Sequence, residues 1–240
     1  MLEHCILFAM DGVTSLFVDL EFLNVAILLI IGFASFIMIR VSYVINWASK
    51  HRCSTPLRPL STMIVLGSGG HTAEMINLLA VLQMDRFNPR YYVAATTDNM
   101  SLQKARVLES SLREKDEFVG TSHFMQIYRS REVGQSFITS IGTTLIALTH
   151  ALWLMFRIRP QVILCNGPGT CIPLCMIAFL FKVFGITSSS IFYIESIARV
   201  KRLSLSGLLL YKLRMADQLF VQWPQLKKQY PRSNYVGRLM

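Results

Sequence analysis

The chain has 240 residues, of which 52% are hydrophobic and 16% are charged, and its formal net charge is +10. A mean hydropathy of +0.44 is too high for an ordinary soluble domain. The Lys and Arg residues are scattered and no nucleic-acid-binding motif accompanies them, so the basic charge does not predict a nucleic-acid partner.

Hydrophobic residues are concentrated near the N-terminus. Phe22–Ile39 contains 18 residues without a charge. At a rise of ~1.5 Å per residue, a helix of this length spans ~27 Å, close to a thin endoplasmic-reticulum bilayer. A buried core helix is the less favoured alternative. Residues 1–21 carry four acidic residues and no Lys or Arg, which is not typical of a cleaved signal peptide. The sequence therefore predicts an uncleaved transmembrane anchor.

The distribution of charge predicts the orientation of this anchor. Residues 1–39 carry a charge of −4 and residues 40–240 carry +14. Because positively charged segments stay in the cytosol, we expect a lumenal N-terminus and a cytosolic C-terminal region. Along the chain we expect a short lumenal segment (1–21), the anchor (22–39), a basic juxtamembrane linker (40–60) and one cytosolic domain (61–240). The basic excess also favours contact with an anionic leaflet or a phosphate-bearing lipid headgroup.

The domain begins with a glycine turn between a strand and a helix. Met63–Leu66 predicts a strand, and apolar residues at helical spacing follow from Met75 to Leu82. Between them stand Gly67, Ser68, Gly69, Gly70, His71 and Thr72. Strand, glycine turn and helix in this order predict the opening of a doubly wound α/β fold, where backbone N–H groups bind an anion such as phosphate. Thr72 replaces the third glycine of the dinucleotide fingerprint, and a tight turn with a packed histidine is the alternative.

The next two strands end in polar residues. Tyr91–Thr97 predicts the second strand and is followed by Asp98, in the place where a nicotinamide-binding fold holds its ribose. However, Asp98 lies 31 residues after Gly67, farther than the usual spacing of about 20. After a helix over Ser101–Glu114, His123–Tyr128 predicts the third strand.

A polar loop follows the third strand and contains Arg129 and Arg131. Guanidinium groups suit the recognition of phosphate or carboxylate, whereas a solvated surface cluster is the alternative. Phe137–Phe156 then has the pattern of a long apolar helix.

A second glycine turn repeats the arrangement of the first. Gln161–Cys165 predicts the fourth strand, and Cys171–Val183 predicts the helix after the turn. The turn itself consists of Asn166, Gly167, Pro168, Gly169 and Thr170. Because the carboxyl ends of parallel strands share one edge of the sheet, both turns are expected to face one extended ligand that carries a phosphate group.

The remaining elements complete a doubly wound parallel sheet. Ser190–Ile194 predicts the fifth strand and ends at Glu195, while Ala216–Gln222 predicts the sixth after a helix over Leu203–Met215. The tail after Trp223 is expected to add no further βαβ unit. The five cysteines include no C-x-x-C pair, which favours free thiols and predicts no metal site.

These motifs together resemble a known family. The chain is similar to the membrane-anchor subunits of the endoplasmic-reticulum UDP-N-acetylglucosamine transferase of the dolichol pathway, the fourteenth asparagine-linked-glycosylation family, and to the amino-terminal half of bacterial MurG. The resemblance covers 61–240 and rests on GSGGHT (67–72), the strand end at 97–98, RSREVGQS (129–136), NGPGT (166–170), YIES (193–196) and YVGRLM (235–240).

The resemblance implies a Rossmann-like acceptor half of a GT-B glycosyltransferase, preceded by a single transmembrane helix. The family's reaction moves N-acetylglucosamine from UDP-GlcNAc to dolichyl-diphosphate-GlcNAc on the cytosolic face of the endoplasmic reticulum. A separate soluble subunit would bind the donor, so this chain would be inactive alone and would need no cofactor of its own. Independently of the resemblance, the tail ends on the apolar residues Leu239 and Met240. We therefore expect the exposed part of 225–240 to be the docking segment for that partner, and a frayed terminus is the alternative.

The resemblance also implies roles for individual residues. His71 and Glu195 would act as catalytic base or as ligands of the acceptor sugar, since the bacterial relative has a histidine and a carboxylate at comparable positions. The two glycine turns would bind the acceptor diphosphate through backbone N–H groups, and Arg129 and Arg131 would add positive charge. Two alternatives stay open: a pure membrane scaffold, and a membrane-anchored nicotinamide-dependent reductase that would use Asp98.

Overall fold

The structure, a computed structural model, describes residues 2–50, 59–114, 120–130, 135–167 and 169–238. It divides into two compact units, Met1–Asn46 and Trp47–Met240. The predicted juxtamembrane linker at 40–60 falls partly on residues 51–58, which lie outside the described residues.

The first unit belongs to one long helix, α1 (Leu2–Lys50). The predicted anchor lies inside it, and the helix continues beyond the anchor at both ends. The segment Glu21–Asn46 has the length and apolar composition of a membrane span, and 0% of its most apolar window is buried within the protein. Such a helix could cross a membrane and leave its apolar side chains in contact with lipid.

The second unit alternates strands and helices, as the sequence predicts. Its elements are β1 (Thr62–Val65), α2 (Gly70–Val81), β2 (Arg90–Ala95), α3 (Asn99–Glu114), β3 (Ser122–Ile127), α4 (Phe137–Ile158), β4 (Val162–Asn166), α5 (Cys171–Phe184), β5 (Ser190–Ile194), α6 (Leu205–Lys212), β6 (Gln218–Val221), α7 (Pro224–Gln229) and β7 (Asn234–Tyr235), with a short 3₁₀ turn at Met84–Arg86.

The strands form one parallel sheet in the order β3-β2-β1-β4-β5-β6-β7. The chain builds outward from β1 to β3 and then returns to place β4 on the other side of β1. Ligands of such sheets bind where the winding reverses, at the carboxyl ends of the strands. The predicted Rossmann-like doubly wound sheet is confirmed, and its switch point lies between β1 and β4.

Alternate residues of β1, together with Leu66, which follows it directly, pack into two cores on opposite faces of the sheet. Ile64 and Leu66 contact residues of α2 and α3, such as Met75 and Leu102. On the other face, Met63 and Val65 belong to a larger core that contains residues of α4, α5 and α6. Burial on both faces fixes the register of β1, because a shift by one residue would exchange the two faces. The glycine turn after β1 is therefore held in place by both cores.

Helix α4 is a partly buried helix of this domain. Its segment Ile138–Ile158 also has the length and composition of a membrane span, but 22% of its window is buried within the protein. Ala151 and Met155 belong to the core, whereas Ile138, Ile141 and Leu145 are exposed. The helix therefore joins the sheet through one face and presents apolar side chains on another.

The prediction that the tail adds no further βαβ unit is wrong. Helix α7 follows β6, and β7 then pairs with β6 in parallel. Pro224 starts the helix, and Leu226 is its buried residue. The sequence pattern could not predict β7 because a strand of two residues is too short to have a periodicity.

Candidate functional site

The two predicted glycine turns meet at the switch point, and the ring of His71 lies against both of them. A Cβ on Gly67 would lie 2.6 Å from the Cβ of His71 and 3.0 Å from the carbonyl oxygen of Asn166. A Cβ on Gly167 would lie 2.9 Å from Cγ of the same histidine. Gly167 also has a φ of +96°, which disfavours other residues. Both glycines therefore make room for one side chain, that of His71.

His71 is connected to a buried chain of hydrogen bonds. Its Nδ1 lies 3.0 Å from Oδ1 of Asn166, and Nδ2 of Asn166 donates to Oε2 of Glu74 at 2.9 Å. Oε1 of Glu74 accepts from Oγ of Ser196 at 2.7 Å and from the backbone N–H of Ile197 at 3.2 Å. Asn166 and Glu74 are 1% and 2% exposed. This series of hydrogen bonds joins the first turn of α2 to the carboxyl ends of β4 and β5.

The sequence interpretation did not single out Glu74. It stands three residues after His71 on α2, a spacing that places two side chains on the same face of a helix. This spacing was the signal in the sequence that could have identified Glu74, because a carboxylate is unusual among the apolar residues of such a helix and stands next to a candidate base. The interpretation instead read this helix for its apolar residues.

The side chain of Thr72 is buried and makes its hydrogen bonds within the protein, where it holds the first turn. Its hydroxyl is hydrogen-bonded to the carbonyl oxygen of Gly67 and lies 2.6 Å from Oγ of Ser101. Asp98 accepts hydrogen bonds from both the backbone N–H and the hydroxyl of Ser101, at 3.1 and 2.6 Å. Asp98 therefore caps the start of α3, so its carboxylate is already engaged. These hydrogen bonds give the side chain of Asp98 a structural role at the start of α3.

Arg129 lies over the two turns. Its Nη2 donates to Oγ of Ser68 at 3.0 Å, and a Cβ on Gly169 would lie 3.5 Å from its Nε. The neighbouring Ser130 donates from Oγ to the carbonyl oxygen of Gly169 at 2.6 Å. The loop after β3 thus ties the first turn to the second and brings one guanidinium group to the site. A positive charge in this position favours an anionic ligand.

The start of α2 remains available to a ligand. No described side chain caps this helix at Gly69, and both Gly69 and Gly70 are exposed. Uncapped N–H groups at a helix start attract anions. Arg131 and Pro168, which were predicted to bind the same ligand, lie outside the described residues.

The structure does not bring Glu195 to His71. The Glu195 side chain is buried, and its Oε2 accepts from the N–H and Oγ of Ser204, both at 2.9 Å. Its Oε1 accepts from the N–H of Ser196 at 3.1 Å. Burial raises the pKa of Glu195, although these hydrogen bonds oppose the shift. Because Ser204 caps α6, these hydrogen bonds connect Glu195 to the start of that helix. Its role in catalysis stays a prediction.

A cavity of about 580 Å³ opens beside the turns. The part of its lining that comes from the two turns and the loop after β3 is called the polar end here, and it consists of the predicted residues Gly67, Ser68, His71, Arg129, Gly169 and Thr170 together with Ser130. The part that comes from α4, α5 and α6 is called the apolar end, and it contains Leu148, Ile172, Pro173, Met176, Leu205 and Leu209 with the hydroxyl side chains Ser140, Thr144 and Ser206 among them. Asn166 and Gly167 are buried and contact His71 instead. The cavity therefore suits a ligand with an anionic part and an apolar part.

The cavity and its surroundings offer no metal cluster within the described part of the chain. No group of three or more His, Cys, Asp or Glu side chains is placed there to hold a metal ion. The groups of the cavity lining that can donate or accept protons and hydrogen bonds include the imidazole of His71 and the guanidinium of Arg129.

Comparison with known proteins gives the family of the chain. Residues 62–239 match the family described as "Oligosaccharide biosynthesis protein Alg14 like". The chain is 45% identical over 188 residues to the UDP-N-acetylglucosamine transferase subunit ALG14 of Rattus norvegicus, covering 78% of this chain and 86% of that protein. The protein of the same name from Yarrowia lipolytica is 43% identical over 178 residues, covering 74% and 80%.

Solved structures also match. MurG from Acinetobacter baumannii has a TM-score of 0.49 and 18% identity, and the match covers 75% of this chain but 44% of that one. The family assignment rests on the sequence matches, which extend over the whole αβ domain with its two glycine turns. This chain belongs to the Alg14 family of oligosaccharide biosynthesis proteins, whose relatives are named as subunits of a UDP-N-acetylglucosamine transferase.

Proposed function

We propose that this chain is the membrane-anchoring, acceptor-binding subunit of a two-subunit N-acetylglucosaminyltransferase that uses UDP-GlcNAc and dolichyl-diphosphate-GlcNAc. The observation that carries the proposal is the position of His71, which lies at the junction of two glycine turns and lines a cavity with a polar and an apolar end. Relatives named as UDP-N-acetylglucosamine transferase subunits support the transferase class.

The polar end of the cavity fits the diphosphate of the acceptor. The uncapped start of α2 supplies backbone N–H groups, and Arg129 adds a positive charge held by Ser68. Oriented backbone N–H groups and a guanidinium fork are the groups that bind phosphate oxygens best. A diphosphate placed here would hold the attached sugar beside the ring of His71.

The apolar end of the cavity fits the beginning of the lipid chain. Leu148, Met176 and Leu209 line it from three different helices, α4, α5 and α6. On α4 the exposed Ile141 and Leu145 continue the apolar surface outside the cavity. Neighbouring apolar side chains that are exposed on one surface are stabilised by contact with hydrocarbon rather than with water. The lipid would leave the site along this side of the domain.

The imidazole of His71 would act as the general base. As the acceptor hydroxyl oxygen forms its bond to the anomeric carbon of GlcNAc, the bond from that carbon to UDP breaks. The hydroxyl proton goes to the free ring nitrogen of His71, and UDP leaves with the bonding electron pair. A positioned base contributes roughly 10²- to 10⁴-fold to such a step.

The remaining parts of the proposal concern location and partner. Helix α1 would anchor the chain in the endoplasmic-reticulum membrane, including the nuclear envelope, with a lumenal N-terminus and a cytosolic domain. A separate soluble subunit would bind UDP-GlcNAc and meet the described surface of 225–238, where Tyr235 and Val236 are 50% and 43% exposed. This segment follows β6 at the end of the sheet.

The test is transfer of labelled GlcNAc from UDP-GlcNAc to a dolichyl- or phytanyl-diphosphate-GlcNAc acceptor in membranes. Three samples would be assayed: this chain alone, the soluble donor subunit alone, and the two proteins together. Transfer with both proteins and with neither one alone supports the proposal. Transfer by this chain alone would contradict the division of labour between the two subunits, and no transfer by an assembled complex would contradict the proposed transferase.

A further inference from the structure

We infer that Glu74, acting through Asn166, is a positioning residue that fixes the tautomer of His71, with its proton on Nδ1 and a free electron pair on Nε2. The inference rests on the proposed function only for its catalytic consequence, because the tautomer itself follows from the hydrogen bonds. Neither Glu74 nor Asn166 needs to touch a substrate in this role.

The direction of the chain follows from what each group can donate. A carboxylate accepts hydrogen bonds and donates none, so the amide group of Asn166 must turn its Nδ2 toward Oε2 of Glu74, 2.9 Å away. The amide oxygen Oδ1 then faces Nδ1 of His71 at 3.0 Å. An oxygen in this place accepts a proton from the ring, so Nδ1 must carry it. Nε2 is left as the acceptor of the cavity-lining ring.

The far end of the chain holds Glu74 in one orientation. The backbone N–H of Ala198 donates to Oγ of Ser196 at 3.3 Å, and that hydroxyl donates onward to Oε1 of Glu74 at 2.7 Å. The N–H of Ile197 donates to the same oxygen at 3.2 Å. Both carboxylate oxygens are therefore occupied by donors. The orientation of the amide of Asn166 is set by groups that come from the loop after β5.

Burial makes this arrangement specific. Glu74 is 2% and Asn166 is 1% exposed, so water does not replace a lost partner easily. A buried polar group without a partner is unfavourable, so the hydrogen-bonded groups keep the pattern in which the donors face acceptors. A Cβ at Gly67 or Gly167 would crowd His71, so both glycines leave the space in which its side chain sits.

Exchanging the carboxylate and the amide group between positions 74 and 166 tests the inference. In Glu74→Gln, the side-chain amide presents a donor to Asn166, so Asn166 turns over and offers Nδ2 to His71. Nδ1 must then accept and the proton moves to Nε2. In the double variant Glu74→Gln with Asn166→Asp, residue 74 donates to a carboxylate at 166, which again accepts from Nδ1. The double variant therefore restores the original tautomer with the same number of atoms.

The first readout is kinetic and uses the membrane complex with its donor subunit. We expect Glu74→Gln to lower kcat by roughly 10²-fold while KM for UDP-GlcNAc stays unchanged, because the base loses its electron pair. Asn166→Asp alone should also lose activity, since two carboxylates would face each other. The double variant should recover to within ~10-fold of the original enzyme. A double variant that folds and is no better than either single variant would overturn the inference.

The second readout is the tautomer itself, from ¹⁵N NMR of histidine-labelled full chain in the detergent-solubilised complex. The His71 signals are identified by their loss in His71→Gln. We expect a protonated Nδ1 in the original chain and in the double variant, and a protonated Nε2 in Glu74→Gln. An unchanged tautomer in Glu74→Gln would overturn the inference even if activity fell. Thermal unfolding of each variant identifies misfolding, in which case the comparison of the double variant with Asn166→Asp decides.

The two readouts separate this inference from the proposed function. An inactive wild-type complex would contradict the proposed transferase, whereas the NMR result would still decide the tautomer. An active complex whose tautomer does not respond to Glu74→Gln would contradict the positioning role alone.

Discussion

The ring of His71 lies directly against the backbone of Gly167, so closely that a Cβ on this glycine would come within 2.9 Å of the ring carbon Cγ. The two residues belong to different glycine turns, one after β1 and one after β4. This contact is what converts two separate turns into one site. It also makes the position of the histidine sensitive to a single methyl group at 167.

Gly167→Ala is therefore expected to displace His71. The added Cβ would push on the ring, and a φ of +96° adds strain for any residue with a side chain. We expect transfer by the assembled complex to fall by roughly 10²-fold, since a displacement of about 1 Å has this effect on a catalytic group. The measurement is kcat in membranes that contain the donor subunit.

The matched control is Gly142→Ala on α4, where a new Cβ would meet no atom within 4 Å. This variant should keep the original kcat. Equal kcat values for Gly167→Ala and the original chain would contradict a role for the close contact with His71.

The sequence predicted the scaffold well because strong signals produced it. Most of the six longer strands are apolar runs next to a turn, and the predicted β5 matches Ser190–Ile194 at both ends. Boundaries of the other elements of the domain mostly differ by one to three residues, as for Asn166, which the sequence places in the turn and the structure places at the end of β4. The short β7 was not predictable, because two residues of a polar tail carry no period.

The candidate site was predicted only in part. Turn residues and His71 were found because glycine patterns mark them in the sequence. Glu195 is predicted from its place at a strand end, and its side chain accepts hydrogen bonds from Ser204. Glu74 stands three residues after His71 on α2, but its hydrogen bond to Asn166, 92 positions away in the sequence, leaves no pattern that the sequence analysis could use. The direction in which each side chain points, and not its place in the sequence, determines that Glu74 rather than Glu195 is connected to His71 through Asn166.

Arg129→Ala is expected to weaken binding of the acceptor. The guanidinium group, held by Ser68 at the polar end of the cavity, would no longer compensate the charge of a diphosphate. We expect KM for dolichyl-diphosphate-GlcNAc to rise by roughly 10-fold or more, with little change in KM for UDP-GlcNAc. Steady-state kinetics with each substrate varied in turn measure this.

An arginine of α3, Arg113, provides the comparison, since it is exposed and its partner Ser122 is remote from the cavity lining. Arg113→Ala should leave both KM values unchanged. A rise confined to KM for UDP-GlcNAc in Arg129→Ala would place the arginine at the donor instead.

Leu205→Ser is expected to separate lipid binding from chemistry. Leu205 lines the apolar end of the cavity and is 82% exposed, so its replacement should not disturb the core. We expect KM to rise for a polyprenyl acceptor and to change little for an acceptor with a short alkyl chain. Val107→Ser on α3, also at an exposed position, is the control and should affect neither acceptor. An equal effect of Leu205→Ser on both acceptors would contradict the lipid assignment.

Glu195 is expected to make the stability of the domain depend on pH. Burial raises the pKa of Glu195 above its ordinary value of 4.5, so the folded state binds a proton more tightly than the unfolded state. The stabilisation from this proton is fully present below pH 4.5 and is lost as the pH rises through the raised pKa. In Glu195→Gln this part of the pH dependence should disappear.

Thermal unfolding of the complex from acidic to neutral pH measures the effect. The unfolding midpoint of the original chain should fall more steeply with rising pH than that of Glu195→Gln. Parallel curves would contradict the linkage. Loss of transfer in Glu195→Gln with an unchanged midpoint would instead restore the prediction that this carboxylate acts in catalysis.

Transfer by a complex that carries His71→Ala decides whether this chain supplies the acceptor site and its base or only recruits a partner to the membrane. We expect transfer of GlcNAc to dolichyl-diphosphate-GlcNAc to fall by roughly 10²- to 10⁴-fold, while the donor subunit remains bound in pull-down from solubilised membranes. Full transfer by the assembled His71→Ala complex would show that His71 is not the base and would leave this chain a scaffold.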